Sequence, residues 1–317
     1  MKKIKILVIT PDERKKQRQR ITRGVLALLV FAGIVLSSFL FYHRTKSRIT
    51  LRAVHELWKQ EDYQGVYTLT AGLLASFPLD SGALAYRGFA AYYLAARETD
   101  LSKSQSFLEE GIISLRKALY KANKRIQPQI NYMLGKAYFL KNTLSAYYYY
   151  ADMVVFYLNE AVRLGFSARD IPEILGLSYG ALNMTTESVM AFTEALKVRD
   201  SDVLELAIAE QKYKLRDYDS AKPYLFKVAR SSKDDVFIKQ SHALLGQIYI
   251  DEGHYDDARR EFQAILDKDP ASSDAYYGFG LVYEKEGDYP RARAEWRRAL
   301  RYDVNHPGAL QKLADSR

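Results

Sequence analysis

One stretch near the start of the chain carries no charge. Residues 24–43 contain no Lys, Arg, Asp or Glu, and residues 25–42 read VLALLVFAGIVLSSFLFY. About 20 residues of α-helix, each rising 1.5 Å, cross the hydrocarbon core of a bilayer. A cleaved signal peptide would have a shorter apolar region and a small-residue cleavage site, and no such site follows this run. The pattern therefore predicts one uncleaved transmembrane helix over residues 24–43.

The rest of the chain has a different pattern. From residue 44 onwards, apolar side chains recur at helical spacing, and the Gly and Pro interruptions are short. Two adjacent segments, 239–272 and 273–306, repeat the same residue types at one constant spacing. The matched pairs are Gly246 and Gly280, Tyr249 and Tyr283, Gly253 and Gly287, Tyr255 and Tyr289, Ala258 and Ala292, and Phe262 and Trp296. The body is therefore predicted to be a stack of helical hairpins.

Each matched position has a physical role in such a hairpin. Gly246 is small because two helices cross there, and Gly253 ends the first helix in the turn. Ala258 lies on the second helix, where that helix comes closest to the first. Phe262 is expected to pack against the next repeat. The same roles apply at the matched positions of the second segment.

These residues and their spacing resemble the tetratricopeptide repeat (TPR) family. The resemblance implies an all-α fold, in which six or seven hairpins stack into a right-handed superhelical solenoid lined inside by first helices. Such hairpins are stable only when stacked, so one elongated domain is expected. The predicted repeat-packing residues are Gly176, Tyr179, Gly246, Tyr249, Ala258, Phe262, Gly280, Tyr283, Ala292 and Trp296.

The predicted organisation has three parts. These are a basic segment at 1–23, the transmembrane helix at 24–43 and the TPR solenoid at 44–317. Within the solenoid, the strongest repeats are 169–202, 239–272 and 273–306, a weaker copy lies near 202–235, the repeats 83–127 and 128–168 are long, and 307–317 begins a capping helix. The segment 47–80 is either a degenerate repeat or a hairpin joining the membrane helix to the solenoid. The tyrosine run 147–150 is either structural or a protein-binding knob.

Charge is divided unevenly along the chain. The total is 47 Lys and Arg against 38 Asp and Glu, a net charge of +9. Residues 1–48 hold 12 of the basic and 2 of the acidic residues, so they carry +10 and the rest of the chain carries −1. Basic residues are more numerous before the uncharged stretch than after it, which predicts a cytoplasmic N-terminus and a body on the other side. The basic flank either binds anionic headgroups or only sets this topology.

The sequence offers no recognisable catalytic or metal-binding motif. It contains no Cys, which excludes disulfides, thiol nucleophiles and Cys-based metal sites. Its five His residues form no metal-binding pattern, and Gly278 and Gly280 lack the third Gly of a dinucleotide loop. We therefore predict a non-enzymatic protein with no catalytic residue, no cofactor and no metal.

An arginine-rich segment near the C-terminus raises the question of nucleic acid. Its arginines are Arg291, Arg293, Arg297, Arg298 and Arg301. Because the body has no net positive charge, no nucleic-acid partner is predicted. Arg297 with Arg293 or Arg301 forms either a patch for a partner or an ordinary solvated face.

The TPR resemblance implies protein–protein recognition, with a peptide, helix or protein subunit held against the first helices. The corresponding positions carry a mixed aromatic and charged set: Arg87, Tyr132, Lys136, Phe139, Glu173, Glu210, Tyr213, Gln247, Tyr277 and Glu284. This set departs from the carboxylate clamp of TPR proteins that bind chaperone tails, which needs Lys and Asn at fixed first-helix positions. Binding of such tails is therefore not expected.

The predicted function is a membrane-anchored scaffold for a complex at the bacterial inner membrane, with its TPR body in the periplasm. This layout resembles membrane-anchored TPR assembly factors of the bacterial envelope and the TPR proteins of the spirochaete periplasmic flagellar-motor collar. Two alternatives stay open. One is a structural subunit of such a collar, and the other is a chaperone-like receptor that binds exported clients.

Overall fold

The computed structural model describes residues 26, 28–39, 41–42, 51–145 and 149–315. All regular secondary structure in these residues is helical. The chain divides into two compact units, unit 1 (Met1–Ala122) and unit 2 (Asn123–Arg317). The predicted solenoid over residues 44–317 thus contains a division after Ala122.

The predicted transmembrane segment is only partly described. Its residues 26, 28–39 and 41–42 are helical with exposed side chains, while residues 24, 25, 27, 40 and 43 lie outside the described residues. No helix among the described residues combines the length and the apolar character needed to cross a bilayer. The predicted basic segment 1–23 also lies outside the described residues.

Unit 1 contains two helical hairpins beyond residue 50. Its helices are α1 (helical over residues 51–59), α2 (Tyr63–Ser76), α3 (Ser81–Arg97) and α4 (Leu101–Lys121). Val54, Val66 and Ala90 are fully buried between the first three helices. The Trp58 ring packs edge-on against the Tyr63 ring, with the centroids 5.3 Å apart. The segment predicted as a degenerate repeat or a joining hairpin thus folds, in its described part, as the hairpin α1–α2.

The described part of unit 2 contains five helical hairpins and one further helix. Its helices are α5 (Gln127–Ser145), α6 (Ala151–Arg163), α7 (Ile171–Ala181), α8 (Thr185–Val198), α9 (Asp202–Lys214), α10 (Tyr218–Ser231), α11 (Asp235–Glu252), α12 (Tyr255–Lys268), α13 (Ser273–Lys285), α14 (Tyr289–Tyr302) and α15 (Pro307–Asp315). Helix α11 begins four residues before the predicted repeat start at 239. Of the tyrosine run, residues 147 and 148 lie outside the described residues.

The helices of unit 2 stack in a regular order. Each second helix contacts the first helix of its own hairpin and the first helix of the next one. Among the first helices, α11 also contacts both α9 and α13 directly. We call these three helices the first-helix layer.

Close helix crossings depend on glycine beneath a large ring. A Cβ on Gly246 would lie 2.6 Å from the Phe262 ring, and a Cβ on Gly280 would overlap the Trp296 indole. The Phe262 ring also lies against Gly278 of the next hairpin. Phe262 therefore fills its own crossing as well as packing against the following repeat, as the sequence predicts. Such contacts leave no room for a side chain at these glycines.

Helix ends follow from local chemistry. Aspartates cap several N-termini, as where Asp288 accepts the Arg291 N–H at 3.1 Å. Gly253 and Gly287 end first helices in the left-handed conformation, with φ of 80° and 83°. Asn183 and Arg216 hold φ of 57° and 58° in equivalent turns. A side chain is disfavoured in this conformation, so these two turns carry local strain that glycine avoids.

Candidate functional site

Nine of the ten predicted groove residues lie on first helices of unit 2. They are Tyr132, Lys136 and Phe139 on α5, Glu173 on α7, Glu210 and Tyr213 on α9, Gln247 on α11, and Tyr277 and Glu284 on α13. Arg87 lies on α3 of unit 1. The surroundings of these side chains show which of them are available to a partner.

Arg87 is held inside unit 1. Its Nε donates to Glu110 Oε1 at 2.7 Å, and its Nη1 donates to the Tyr67 carbonyl at 2.8 Å. The guanidinium carbon lies 4.0 Å above the centre of the Tyr67 ring. Arg87 therefore joins α2, α3 and α4, and its donors are used within the unit.

Tyr132 and Lys136 connect α5 to the start of α7. The Tyr132 hydroxyl donates to Asp170 at 2.9 Å, and Lys136 Nζ donates to Asp170 Oδ2 at 2.8 Å. Burial, together with the hydrogen bond to Asp170, raises the pKa of Tyr132 to about 12. Both side chains thus brace adjacent hairpins.

A second brace joins α9 to α11. The hydroxyls of Tyr213 and Tyr218 donate to Asp251 Oδ2 at 2.9 and 3.1 Å, and Gln247 Nε2 donates to Asp251 Oδ1 at 3.1 Å. Burial and the bond to Asp251 raise the pKa of Tyr213. These three donors leave Asp251 well satisfied without a cation.

Glu173 and Glu284 are ion-paired. Glu173 accepts from Arg199 at the end of α8, at 2.8 Å, and Glu284 accepts from Lys312 of α15 at 2.6 Å. The Tyr277 ring lies 4.8 Å from the His306 ring. The last two predicted positions on α13 are thus engaged by residues around the final helix.

Glu210 differs from the other predicted groove residues. It is exposed and accepts no hydrogen bond or ion pair from any residue that the structure describes. Neighbouring protein nevertheless raises its pKa by desolvation, although Lys214 acts in the opposite direction. Glu210 is therefore the predicted groove carboxylate that no described residue engages. Phe139 on α5 is half-buried.

Two depressions lie along the first-helix layer. One, of about 340 Å³, is lined at the starts of α11 and α13 by residues that include Val236, Gln240, Ala243 and Asp274. None of these four was predicted as a groove residue. Gln240 and Asp274 occupy the same position of successive repeats, so the repeat register was the signal that could have identified them.

The second depression, of about 510 Å³, lies at the other end of the same helices. Arg216, Tyr218, Asp251 and Lys285 are among its lining residues. The exposed cations Arg216 and Lys285 were also not predicted. Arg216 occupies a turn where the repeats 239–272 and 273–306 have glycine, and this is the sequence signal that marks it.

Two exposed apolar side chains lie at the junction of α7 and α9. At the junction of α5 and α7, the equivalent repeat positions hold a polar pair. Leu177 on α7 is 40% exposed and Val203 on α9 is 50% exposed. Relative to the close helix crossing of each hairpin, Leu177 matches Lys136 and Val203 matches Asp170. Lys136 and Asp170 form an ion pair with each other. The junction of α7 and α9 is therefore apolar and exposed at positions where the junction of α5 and α7 has a bonded polar pair. Among the described residues, no group of three or more His, Asp or Glu side chains is arranged to hold a metal ion.

Comparison with known proteins identifies the repeat. Residues 244–310 match the family model described as "Tetratricopeptide repeat". Over 62 residues the chain is 40% identical to the "Probable biofilm formation methyltransferase WspC" of Pseudomonas putida, which covers 20% of this chain and 15% of that protein. The chain therefore spans less than a sixth of the length of this relative.

Two solved structures share the fold. The C-terminal part of a TPR repeat-containing protein from Cytophaga hutchinsonii has a TM-score of 0.54, with 14% identity over 82% of this chain and 98% of that one. The apo form of the quorum sensor NprR from B. thuringiensis has a TM-score of 0.52, with 18% identity over 81% of this chain and 76% of that one. They show an all-helical, TPR-like solenoid fold, and the TPR family model itself matches residues 244–310.

Proposed function

We propose that the chain is a non-enzymatic TPR scaffold that binds a segment of a partner protein along the first-helix layer of unit 2. The depression between α11 and α13 carries this proposal, because first-helix positions line it and leave it open. The exposed Val203 and Glu210 lie on α9 of the same layer, and the exposed Val236 lines the depression itself. A mixed lining of this kind suits an extended or helical peptide.

The brace at Asp251 supports the proposal in a second way. It joins α9 to α11, so this part of the first-helix layer is formed before a partner arrives. A preformed surface loses less conformational entropy on binding. The predicted groove residues thus divide into those that build the layer and those that face a partner.

The proposal is tested by photo-crosslinking in intact cells. A photoreactive phenylalanine replaces Gln240, which lines the depression, or Gln263, an exposed residue of the second helix α12. We expect Gln240 to capture a distinct protein that Gln263 does not. Equal capture from both positions, or none from Gln240, would contradict binding at the first-helix layer.

We further propose that residues 24–43 anchor the chain in a bacterial inner membrane, with the TPR body in the periplasm. The uncharged stretch and the net charge of +10 on residues 1–48 support this arrangement. Protease added outside spheroplasts should then digest residues 49–317. Full protection of the body, with digestion after lysis as the control, would overturn the orientation.

A scaffold and a receptor differ in how long they hold a partner. A structural subunit of an envelope complex, such as a periplasmic flagellar-motor collar, should co-purify with its partner in fixed stoichiometry at high salt. A chaperone-like receptor should release its clients under the same wash. We propose the scaffold, so loss of the Gln240 crosslinked partner on washing would favour the receptor instead.

A further inference from the structure

The exposed face of α14 carries a line of arginines. Tyr289, Arg293, Arg297 and Arg301 follow at four-residue intervals and are all exposed. Side chains at this spacing lie on one face of a helix. We call these four residues the arginine row.

The matching line of residues on α12, in the preceding hairpin, differs in charge and in hydrogen bonding. At the matched positions of the earlier repeat, α12 presents Tyr255, Arg259, Gln263 and Asp267. Arg259 bonds to Glu286 at 2.8 Å, and Gln263 Nε2 donates to Asp267 Oδ1 at 2.8 Å. This line has no net charge, and its polar groups are satisfied within the array.

Two members of the arginine row, Arg297 and Arg301, lack this compensation. Neither Arg297 nor Arg301 forms an ion pair, hydrogen bond or ring contact with any residue in the described part of the chain. Like charges four residues apart repel each other and oppose helix formation. Other second helices of unit 2 avoid this cost, as where Arg163 pairs with Glu160 on α6 and Lys197 with Glu194 on α8. The row is therefore an exception within its own array.

We propose that the arginine row docks an acidic helix of a partner protein. Four residues of helix rise about 6 Å, so Glu side chains at the same interval on a second helix would meet each arginine in turn. The guanidinium group pairs bidentately with a carboxylate. Charge complementarity along the row thus selects an acidic helical segment.

One end and one flank of the arginine row also suit binding to a protein. Tyr289 is 60% exposed at one end, and Tyr and Arg together are enriched where protein interfaces concentrate their binding energy. The exposed neighbour Ala294 is small, so a partner helix can approach closely. The net charge of −1 on residues 49–317 gives no long-range attraction to a DNA duplex or an anionic membrane.

This docking surface lies on a second helix and goes beyond the proposed function, which concerns the first-helix layer. The two are tested separately. Photo-crosslinking at Gln240 can fail while the arginine row binds its partner, and the reverse is equally observable.

Because the chain contains no Cys, a single introduced cysteine reports on one place. Ala294→Cys places a fluorophore beside the row, and Gln263→Cys places one on the matched line of α12. The probe is a synthetic Ala/Gln helix with Glu at every fourth position, titrated into the full-length chain. A peptide of the same composition with its Glu residues clustered is the control. We expect a saturable response at residue 294 to the spaced peptide alone, and none at residue 263.

Exchanging residues between the arginine row and the matched line of α12 makes the test more specific. Arg297→Gln with Arg301→Asp gives α14 the residues of α12 and should weaken peptide binding at least tenfold. Gln263→Arg with Asp267→Arg should create a response at a reporter introduced as Arg260→Cys, the α12 position that matches Ala294. Arg260→Asp, an exposed change off both lines, should leave the affinity within twofold.

Three results would overturn the proposal. One is the absence of a response at residue 294, and another is an equal response to the clustered peptide. The third is a stronger response to a DNA duplex or to phosphatidylglycerol vesicles, lost in the Arg297→Gln, Arg301→Asp variant, which would assign the row to nucleic acid or membrane instead. Circular dichroism on each variant shows that α14 remains folded.

Discussion

The hairpins α11–α12 and α13–α14 share one template but differ in what covers their largest buried ring. In both, a second-helix ring lies over a first-helix glycine, Phe262 over Gly246 and Trp296 over Gly280. The other side of Phe262 meets the backbone of the next hairpin at Gly278. The position equivalent to Gly278 in the following repeat is Lys312, whose Nζ lies 5.8 Å from the centre of a Trp296 ring.

This difference shows how position in an array sets the chemistry of a repeat. An interior ring is sealed by the backbone of its neighbour, which demands glycine. The Trp296 ring instead faces the ammonium group of Lys312, which is also ion-paired with Glu284.

Removing the rings should have the largest effect. Phe262→Ala and Trp296→Ala each delete a buried aromatic side chain, which costs about 3–5 kcal/mol. Because Phe262 contacts both α11 and α13, its loss should speed hydrogen exchange in α11 to α13. Trp296→Ala should speed exchange in α13 to α15 alone. Identical exchange maps from mass spectrometry would contradict the distinction, and Gln263→Ala serves as the exposed control.

Glycine at the interior contact should matter more than lysine at the terminal one. Gly278→Ala places a Cβ on the Phe262 ring, and such overpacking costs about 1–3 kcal/mol. Lys312→Ala should cost less than about 1 kcal/mol, because a partly exposed ion pair contributes little. Urea unfolding measures both changes. A Phe262→Leu change in the Gly278→Ala background should recover part of the loss; without recovery, the contact is not the cause.

The left-handed turns test what the hairpins share. Gly253→Ala and Gly287→Ala should each cost about 1 kcal/mol, since both residues have positive φ. Arg216→Gly in the α9–α10 hairpin should instead gain roughly 0.5 kcal/mol, as relieved strain outweighs the added freedom of the unfolded chain. Urea midpoints of the three variants give the comparison. A loss of stability in Arg216→Gly would show that the Arg216 side chain supports its turn.

A surface pair present in only one hairpin should have the smallest effect. Lys239 donates to Asp269 Oδ2 at 3.0 Å and lowers the pKa of Asp269, whereas the equivalent positions are Ser273 and Asp303. The stabilisation is present above the unfolded pKa of about 4 and is lost as the pH falls through the lower folded pKa. Lys239→Ser should therefore cost at most roughly 0.5 kcal/mol at pH 7.

Nuclear magnetic resonance can follow the same pair directly. The carboxyl carbon of Asp269 should titrate below its ordinary range in the unmodified chain and return toward that range in Lys239→Ser. An unchanged titration would show that Lys239 does not cause the shift. The Lys239→Ser change should also flatten the acid limb of the stability profile.

The sequence predicts the hairpins α11–α12 and α13–α14 well, because the packing constraints on their residues act within one repeat. Glycine at a crossing, alanine at a close approach and glycine at a left-handed turn are read from residue type and a constant repeat spacing. The hairpin α1–α2 is harder to predict from the sequence. Its core is filled by the rings of Trp58, Tyr63 and their neighbours rather than by the residue types of the repeat. Aromatic packing of that kind has no fixed spacing along a chain.

The candidate binding surface is predicted only in outline. The chosen positions do lie on first helices, yet Tyr132 and Tyr213 turn out to donate to Asp170 and Asp251. Each donor and acceptor are 38 residues apart. Whether such groups meet depends on how successive hairpins stack, which no single hairpin encodes.

By itself, the sequence determined the division of charge at residue 48, the helical hairpins and the places where helices must cross closely. Those features depend on residue type and on spacing within one or two repeats. Only the tertiary structure decided which side chains brace the stack, which surface stays open and which arginines on α14 are left unpaired by the described residues. Those outcomes depend on distances of about 3 Å between residues far apart in the chain, and stacking alone creates such contacts.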